Sequence, residues 1–497
     1  GKPRQGLGTT NNTKFLRLWH EIDIRKACLN PINRDHALNS KQKWFCYTKG
    51  AGFKKWYGNL DTLINWESNG RDIKDALRGR NPNIPRSESL YFRTGISWGL
   101  ISTTNFSCRL VDYRGIFDVG GSMSFPQDKS KEFLLALLNS KLSKMYLEII
   151  NPTMNNSVGD VKKIPLVTKF DDEIKGLVLE CIEIAKNDWN SREISWNFSR
   201  SPLLKPLTSI ALSLAQWESD VLDDLLSLRK LEERINEKLI AIYGLEDELK
   251  SEVELKDITI LQDELKLEIL STWGNSISPS REKSPISRAV VIKNLLSFSV
   301  GCFLGRYRLD KPGLNIAYPL ESQEELSAYK YNGITFEIDD DAIIPIMGVE
   351  SPFSDDIVQR VQQFVLMVWG EDSYTENLNF INEALGEDLE KYLTRKFWDF
   401  HRKMYKKRPI YWQFASPNGA FKVLTYMHRM NRFTVQKIRQ NYLFKQINYL
   451  ESEITRLKAN EASLNSAEAR KLDHFRSNLL ECRDYDLLLK DVADRQI

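Results

Sequence analysis

Between residues 401 and 445 the chain carries eleven Lys or Arg and no Asp or Glu, with Tyr411, Trp412, Phe414, Phe421, Tyr426 and Phe433 set among them. A one-signed stretch of this kind concentrates a polyanion and speeds its encounter with the protein. Cations interleaved with aromatics are a footprint of nucleic-acid binding. The whole chain has a net charge of only +3, so the concentration is local, and acid is packed elsewhere, as in Asp339-Asp340-Asp341. Within the segment, Arg402, Lys403, Lys406, Lys407, Arg408, Lys422 and Arg429 are expected to track a phosphate backbone. The plainer alternative is a solvated basic helix with its aromatics turned inward.

Residues 1–59 form a second basic region, with twelve Lys or Arg against three acids. Lys2, Arg4 and Gln5 offer phosphate and base-edge donors in a flexible setting, or else act as a hinge. Lys49, Lys54 and Lys55 stand in a glycine-punctuated loop where ammonium groups can meet phosphates. The planar fork of Arg93 fits guanine O6 and N7, unless it pairs with an acid. Gly120-Gly121-Ser122 can present N–H groups and a hydroxyl to a phosphate, or make a plain turn. Trp56 and Tyr57 read as packing rather than as stacking groups. Both basic regions are expected to face one duplex.

The residue types needed for bond chemistry are missing. No G-x-G-x-x-G or G-x-x-x-x-G-K-[ST] phosphate loop is present, and no G-x-S-x-G elbow. Asn30-Pro31, Asn81-Pro82 and Asn151-Pro152 are not followed as in Asn-Pro-Pro-Tyr, the turn that grips a flipped adenine. Glu254-Leu255-Lys256 and Glu264-Leu265-Lys266 have an acid-x-Lys spacing that could hold magnesium in a nuclease. They lie in a charged stretch that reads as solvated helix. The six cysteines and five histidines are scattered singly, which supports neither a metal site nor a disulfide framework and fits a reducing cytoplasm. No apolar run is long enough to cross a membrane. The first residues lack both Met and an apolar leader, so a segment of a longer protein is expected.

The elements that must hold these groups follow from periodicity. Short strands are expected at 63–66, 90–92, 99–103, 106–111, 116–119 and 164–167. A helix is expected over 131–149, stopped by Pro152. Leu228, Leu231, Ile235, Leu239 and Ile242 make a helical stripe that Gly244 ends. A helix should cover 292–307, after a Ser/Pro/Gly-rich linker at 273–288. Leu443, Ile447, Leu450, Ile454 and Leu457 step as a heptad seam. Leu472, Phe475, Leu479 and Cys482 follow a turn near Asn465-Ser466, so two antiparallel helices should close the chain. The expected spans are 1–170, a recognition domain; 171–290, acidic helices and linker; 291–400, mixed α/β; 401–435, the basic aromatic segment; and 436–497, the hairpin.

Several runs are distinctive: Trp44-Phe45-Cys46-Tyr47-Thr48-Lys49-Gly50, Phe53-Lys54-Lys55-Trp56-Tyr57-Gly58-Asn59, Tyr91-Phe92-Arg93-Thr94-Gly95-Ile96-Ser97-Trp98 and Leu137-Leu138-Asn139-Ser140-Lys141. With Val158-Gly159-Asp160-Val161-Lys162-Lys163-Ile164-Pro165 and Arg408-Pro409-Ile410-Tyr411-Trp412, they resemble the C-terminal part of the PglX family. Members of that family are adenine-specific DNA methyltransferases of bacterial BREX phage-defence systems. The Leu-Leu-Asn-Ser-Lys run is shared more loosely with target-recognition domains of Type I and Type IIG restriction enzymes. The resemblance implies an α+β architecture, with a Type I/IIG-like recognition domain, then helical segments and the C-terminal hairpin. It also implies a bacterial cytoplasmic protein with S-adenosylmethionine bound outside this chain, and no catalytic or cofactor residue within it. Double-stranded DNA, other BREX components and acidic phage DNA mimics are the implied partners. A non-enzymatic protein-binding scaffold with incidental basic patches is the alternative.

Overall fold

The run from Trp44 to Thr48 is buried at every position, and a strand apolar on both faces needs cover on both sides. In the computed structural model it is β3 (Trp44–Thr48), the centre of a five-stranded sheet with β1 (Leu16–Leu18), β2 (Ala27–Cys28), β4 (Thr62–Asn65) and β7 (Ile116–Phe117). β4 runs antiparallel to β3, setting Phe45 opposite Ile64, while β2 and β7 pair with β3 in parallel. The structure describes residues 3–50, 52–78, 85–102, 104–127, 130–167, 171–266, 268–269, 284–320, 322, 324–459 and 464–495. Lys2 and most of the expected linker lie outside the described residues.

A second sheet has the order β6-β5-β8, from β5 (Gly95–Gly99), β6 (Cys108–Val111) and β8 (Gly121–Ser124). It packs so tightly that a Cβ on Gly50 would lie 2.0 Å from the Gly120 carbonyl oxygen. Only glycine permits that approach. The expected strands at 90–92, 99–103 and 164–167 are corrected: the first is a 3-10 turn at Glu88–Leu90, the second a strand placed earlier, at Gly95–Gly99, and 164–167 lies outside any strand. The single helix expected over 131–149 is two, Lys131–Asn139 and Lys141–Ile150, because Ser140 between them is extended (ψ 165°). The helix Asp172–Asn190 follows.

The chain divides into two compact units, residues 1–198 with 216–287, and residues 199–215 with 288–497. The helix Ile210–Tyr243 supplies residues to both, and Gly244 ends it with φ +64°, as expected.

In the second unit the helix Arg288–Phe303 is almost wholly buried from Val291 onward. Its two small sheets pair β9 (Tyr329–Tyr331) with β10 (Ile334–Phe336), and β11 (Ile343–Pro345) and β12 (Tyr411–Ala415) with β13 (Lys422–Tyr426) between them. The expected hairpin is present. Its first arm runs continuously through Thr434–Lys437, a π-helical turn Ile438–Leu443, and Phe444–Lys458; its second is Ser466–Asp494. Arg439 pairs with Asp486 and Arg483 with Glu451, so one number rises as the other falls and the arms are antiparallel. Leu443, Leu450, Ile454 and Leu457 bury with Leu472, Phe475 and Cys482, and Asn465 caps the second arm. No described helix is long and apolar enough to cross a membrane.

Candidate nucleic-acid interface

Lys54 and Lys55 do not face solvent. The Lys54 ammonium donates to Asp188 Oδ2 at 3.0 Å and to the Thr259 carbonyl at 2.6 Å. Arg192 joins the same cluster, 2.8 Å from Asp188 and 2.6 Å from Glu264. Lys55 Nζ lies 2.6 Å from Glu232, whose other oxygen accepts from the Trp56 indole at 2.7 Å. These charges are buried, and buried charges persist only when paired and hydrogen-bonded. The loop lysines therefore tie their segment to the helices Asp172–Asn190 and Ile210–Tyr243.

Three other expected phosphate contacts are corrected on the same ground. Ser122 is fully buried on β8, opposite Trp98. The half-buried Lys422 ammonium donates to the Thr394 carbonyl. Arg429 is 8% exposed and donates to the carbonyls of Asp339 at 2.6 Å and Asp340 at 2.7 Å. Trp56 and Tyr57 are core residues, as expected.

Arg4, Gln5 and Lys49 all belong to the first unit. Arg4 exchanges backbone hydrogen bonds with Met123 of β8 at 2.8 and 3.0 Å, leaving its side chain exposed. Gln5 Oε1 accepts from the exposed Arg86 at 2.9 Å. Lys49 is half-buried beside Asp118, and its carbonyl accepts from the buried Arg109 guanidinium at 2.7 Å. Arg93 is exposed, following Phe92 at φ +62°, with no ion pair to another described residue.

The second unit holds the strongest concentration. Arg402, Lys403, Lys406, Lys407 and Arg408 are all exposed at the end of the helix Phe397–Met404 and in the turn after it. That turn is anchored from below. His401 is fully buried, and its Nε2 accepts from the backbone N–H groups of Ile410 (3.2 Å) and Tyr411 (3.1 Å). Its ring stacks on Tyr411 at 4.3 Å and lies 4.6 Å from that of Tyr405. Lys406 and Lys407 hold φ of +53° and +62°, a conformation that costs a non-glycine residue about 1–2 kcal/mol. Such strain persists where the surroundings over-determine it, characteristically at functional sites. Trp412, beside the turn on β12, is 51% exposed.

The acids singled out from the sequence have other partners. The carboxylates of Asp339, Asp340 and Asp341 lie within 4.8 Å of one another. Arg360 approaches Asp339 at 3.6 Å, and the Tyr442 hydroxyl donates to Asp341 at 3.1 Å. Burial, then the Asp341 charge, pushes Asp339 up to about 7 against the pull of Arg360 and Arg429. The cluster therefore balances buried arginines. Glu254 is exposed and paired with Lys256 at 2.6 Å, at a 3-10 turn and not in the helix expected. Glu264 is buried against Arg192, which corrects its reading as a solvated residue.

The sequence reading named no site residue beyond Arg429 and assigned 436 onward to the terminal hairpin. Asn431, Arg432, Phe433, Gln436, Gln440, Asn441, Lys445 and Asn448 are exposed along the first arm of the hairpin. The signal available was that no acid occurs from residue 400 to residue 450.

No family model matches the chain. It is 34% identical over 520 residues to the adenine-specific methyltransferase BrxX of Escherichia coli O9:H4 (strain HS), an alignment covering 99% of this chain and 41% of that protein. It is 32% identical over 522 residues to the adenine-specific methyltransferase PglX of Lacticaseibacillus casei (strain Zhang), covering 99% of this chain and 40% of that protein. The chain thus spans about two fifths of the length of these curated relatives. Along essentially its whole length, this is a PglX/BrxX-like chain.

Proposed function

We propose that the chain is the target-recognition and DNA-clamping region of a site-specific adenine (N6) methyltransferase of a BREX phage-defence system. It holds duplex DNA while an adenine leaves the stack for a pocket in the rest of the parent protein. The observation that carries this reading is the anchored turn with five exposed cations and the neighbouring Trp412, in a chain matched end to end by adenine-specific methyltransferases. The anchored backbone presents these cations in one arrangement, so that binding a phosphate backbone needs only their side chains to be ordered. The first unit, with Arg4, Gln5, Lys49 and Arg93, takes the part of a Type I/IIG-like recognition domain.

This chain has no glycine-rich cofactor loop and no Asn-Pro-Pro-Tyr turn. S-adenosylmethionine and the methyl-transfer step are therefore assigned to the remainder of the parent. The same reading places the protein in the bacterial cytoplasm, with other BREX components and acidic, DNA-shaped phage proteins as partners.

A salt titration of duplex binding by the 497-residue chain tests it. A clamp loses affinity steeply and log-linearly as salt rises, in proportion to the phosphates neutralised. A protein-binding scaffold retains duplex weakly at every salt concentration, with no slope, and that result rejects the proposal.

A further inference from the structure

The first arm of the hairpin carries a face that neither core packing nor ion pairing uses. Its buried side is built from Val435, Ile438, Leu443, Leu450, Ile454 and Leu457. The step of five from Ile438 to Leu443 falls in the π-helical turn Ile438–Leu443, whose wider winding keeps both on the core. Single π turns inside helices recur at functional sites. The opposite side exposes Gln436, Gln440, Asn441 and Asn448, flanked by Arg432, Lys437 and Lys445.

Chemistry changes sharply along this arm. From Glu451 onward, acids and bases are matched: Glu451 with Arg483, Glu453 with Arg456. Before it there is no acid, and Arg439 is already committed to Asp486 of the second arm. An exposed helix face of amides and cations without carboxylates complements a duplex groove. Asn and Gln match the N6 donor and N7 acceptor of adenine, and the flanking cations match phosphate. The entry to the face is fixed, since Asn431 N–H donates to Thr434 Oγ1 at 2.8 Å and Phe433 N–H to Asn431 Oδ1 at 2.9 Å. Its entry is also joined to the sheet that carries Trp412. Trp412 is paired across β12 and β13 with Thr425, whose hydroxyl is 3.5 Å from the sulfur of Met430.

Resting on the function proposed above, we infer that this face lies in the major groove of duplex DNA and reads adenine-containing sequence through Gln436, Gln440 and Asn441. Arg432 and Lys445 hold the flanking phosphates.

The test uses the 497-residue chain and a pool of duplexes with a randomised centre, from which bound DNA is recovered and sequenced. The wild-type chain enriches a preferred sequence. The variant Q436A/Q440A/N441A loses that preference, with the affinity ratio of preferred to scrambled duplex falling roughly tenfold or more. Its affinity for scrambled duplex and its salt slope stay unchanged. R432A and K445A weaken both duplexes alike, each lowering the slope by about one unit. Q440E, which keeps length and helix propensity, moves the preference toward cytosine, whose N4 group donates to a carboxylate; a merely structural role would not do this. An unchanged ratio in the triple variant, or no enrichment by the wild type, overturns the inference and leaves the face to a protein partner. Absence of any salt-dependent binding by the wild-type chain overturns the functional proposal as well.

Discussion

Replacing Asp188 with Asn is expected to remove about 3–5 kcal/mol of stability, the range for stripping one partner from a buried ion pair. Asp188 stands between Lys54 at 3.0 Å and Arg192 at 2.8 Å, and its second role is to accept from the Leu261 N–H at 2.9 Å. The amide leaves both cations buried with half their compensation. Urea unfolding followed by tryptophan fluorescence measures the loss, since Trp56 and Trp189 are buried in this unit. E254Q, at a surface pair, serves as the control and changes nothing measurable. The same carboxylate sets an acid limb. Burial alone raises its pKa, but the Arg192 and Lys54 charges outweigh this and hold it at about 2, below the ordinary 3.8. A depressed carboxylate pKa stabilises the fold above the unfolded value and loses that contribution as pH falls through the folded one. About 2 kcal/mol should therefore disappear between roughly pH 4 and pH 2, and D188N should lack this limb. Wild-type stability in D188N contradicts the ion cluster as the fastening of the first unit.

Truncating the anchored turn carries the larger functional effect. The variant R402A/K403A/K406A/K407A/R408A removes five exposed cations and no buried group. If each meets a phosphate, the slope of log affinity against log salt falls by roughly four to five units, and affinity near 0.1 M salt by roughly a thousandfold. Stability should hold, because the residues that fasten the turn, His401, Tyr405 and Tyr411, remain. Fluorescence anisotropy with a labelled duplex measures both quantities. A loss under about tenfold with an unchanged slope would place the phosphate contacts elsewhere.

Local pattern and long-range packing divided what the sequence made visible. The terminal hairpin was legible because its apolar residues repeat at heptad steps on either side of a turn near Asn465-Ser466. The end of the long helix was legible from Gly244. The break at Ser140 was not, since Leu137, Leu138 and Leu142 keep helical spacing across it. Least visible was the fate of the lysines. Lys54 meets an acid 134 residues away and Lys55 one 177 residues away, so no local window shows that they are buried. Arg429 likewise finds its carbonyls about 90 residues earlier. By contrast, residues 402–408 lie in an acid-free run between Asp399 and Glu451; Arg402 reaches back to Asp399 at 3.2 Å, and all five cations emerge exposed. The amide face beyond Asn431 escaped a reading based on charge because Asn and Gln carry none.

Lysine acetylation, quantified by mass spectrometry with and without duplex at low salt, tests the DNA surface most directly. Protection of Lys403, Lys406, Lys407 and Lys445 by duplex, reversed by added salt, is the predicted result; Lys490 on the second arm should stay reactive, and the buried Lys54 and Lys55 unreactive throughout. Equal labelling of those four lysines with and without duplex, while DNA remains bound, would contradict the placement of the duplex on this unit.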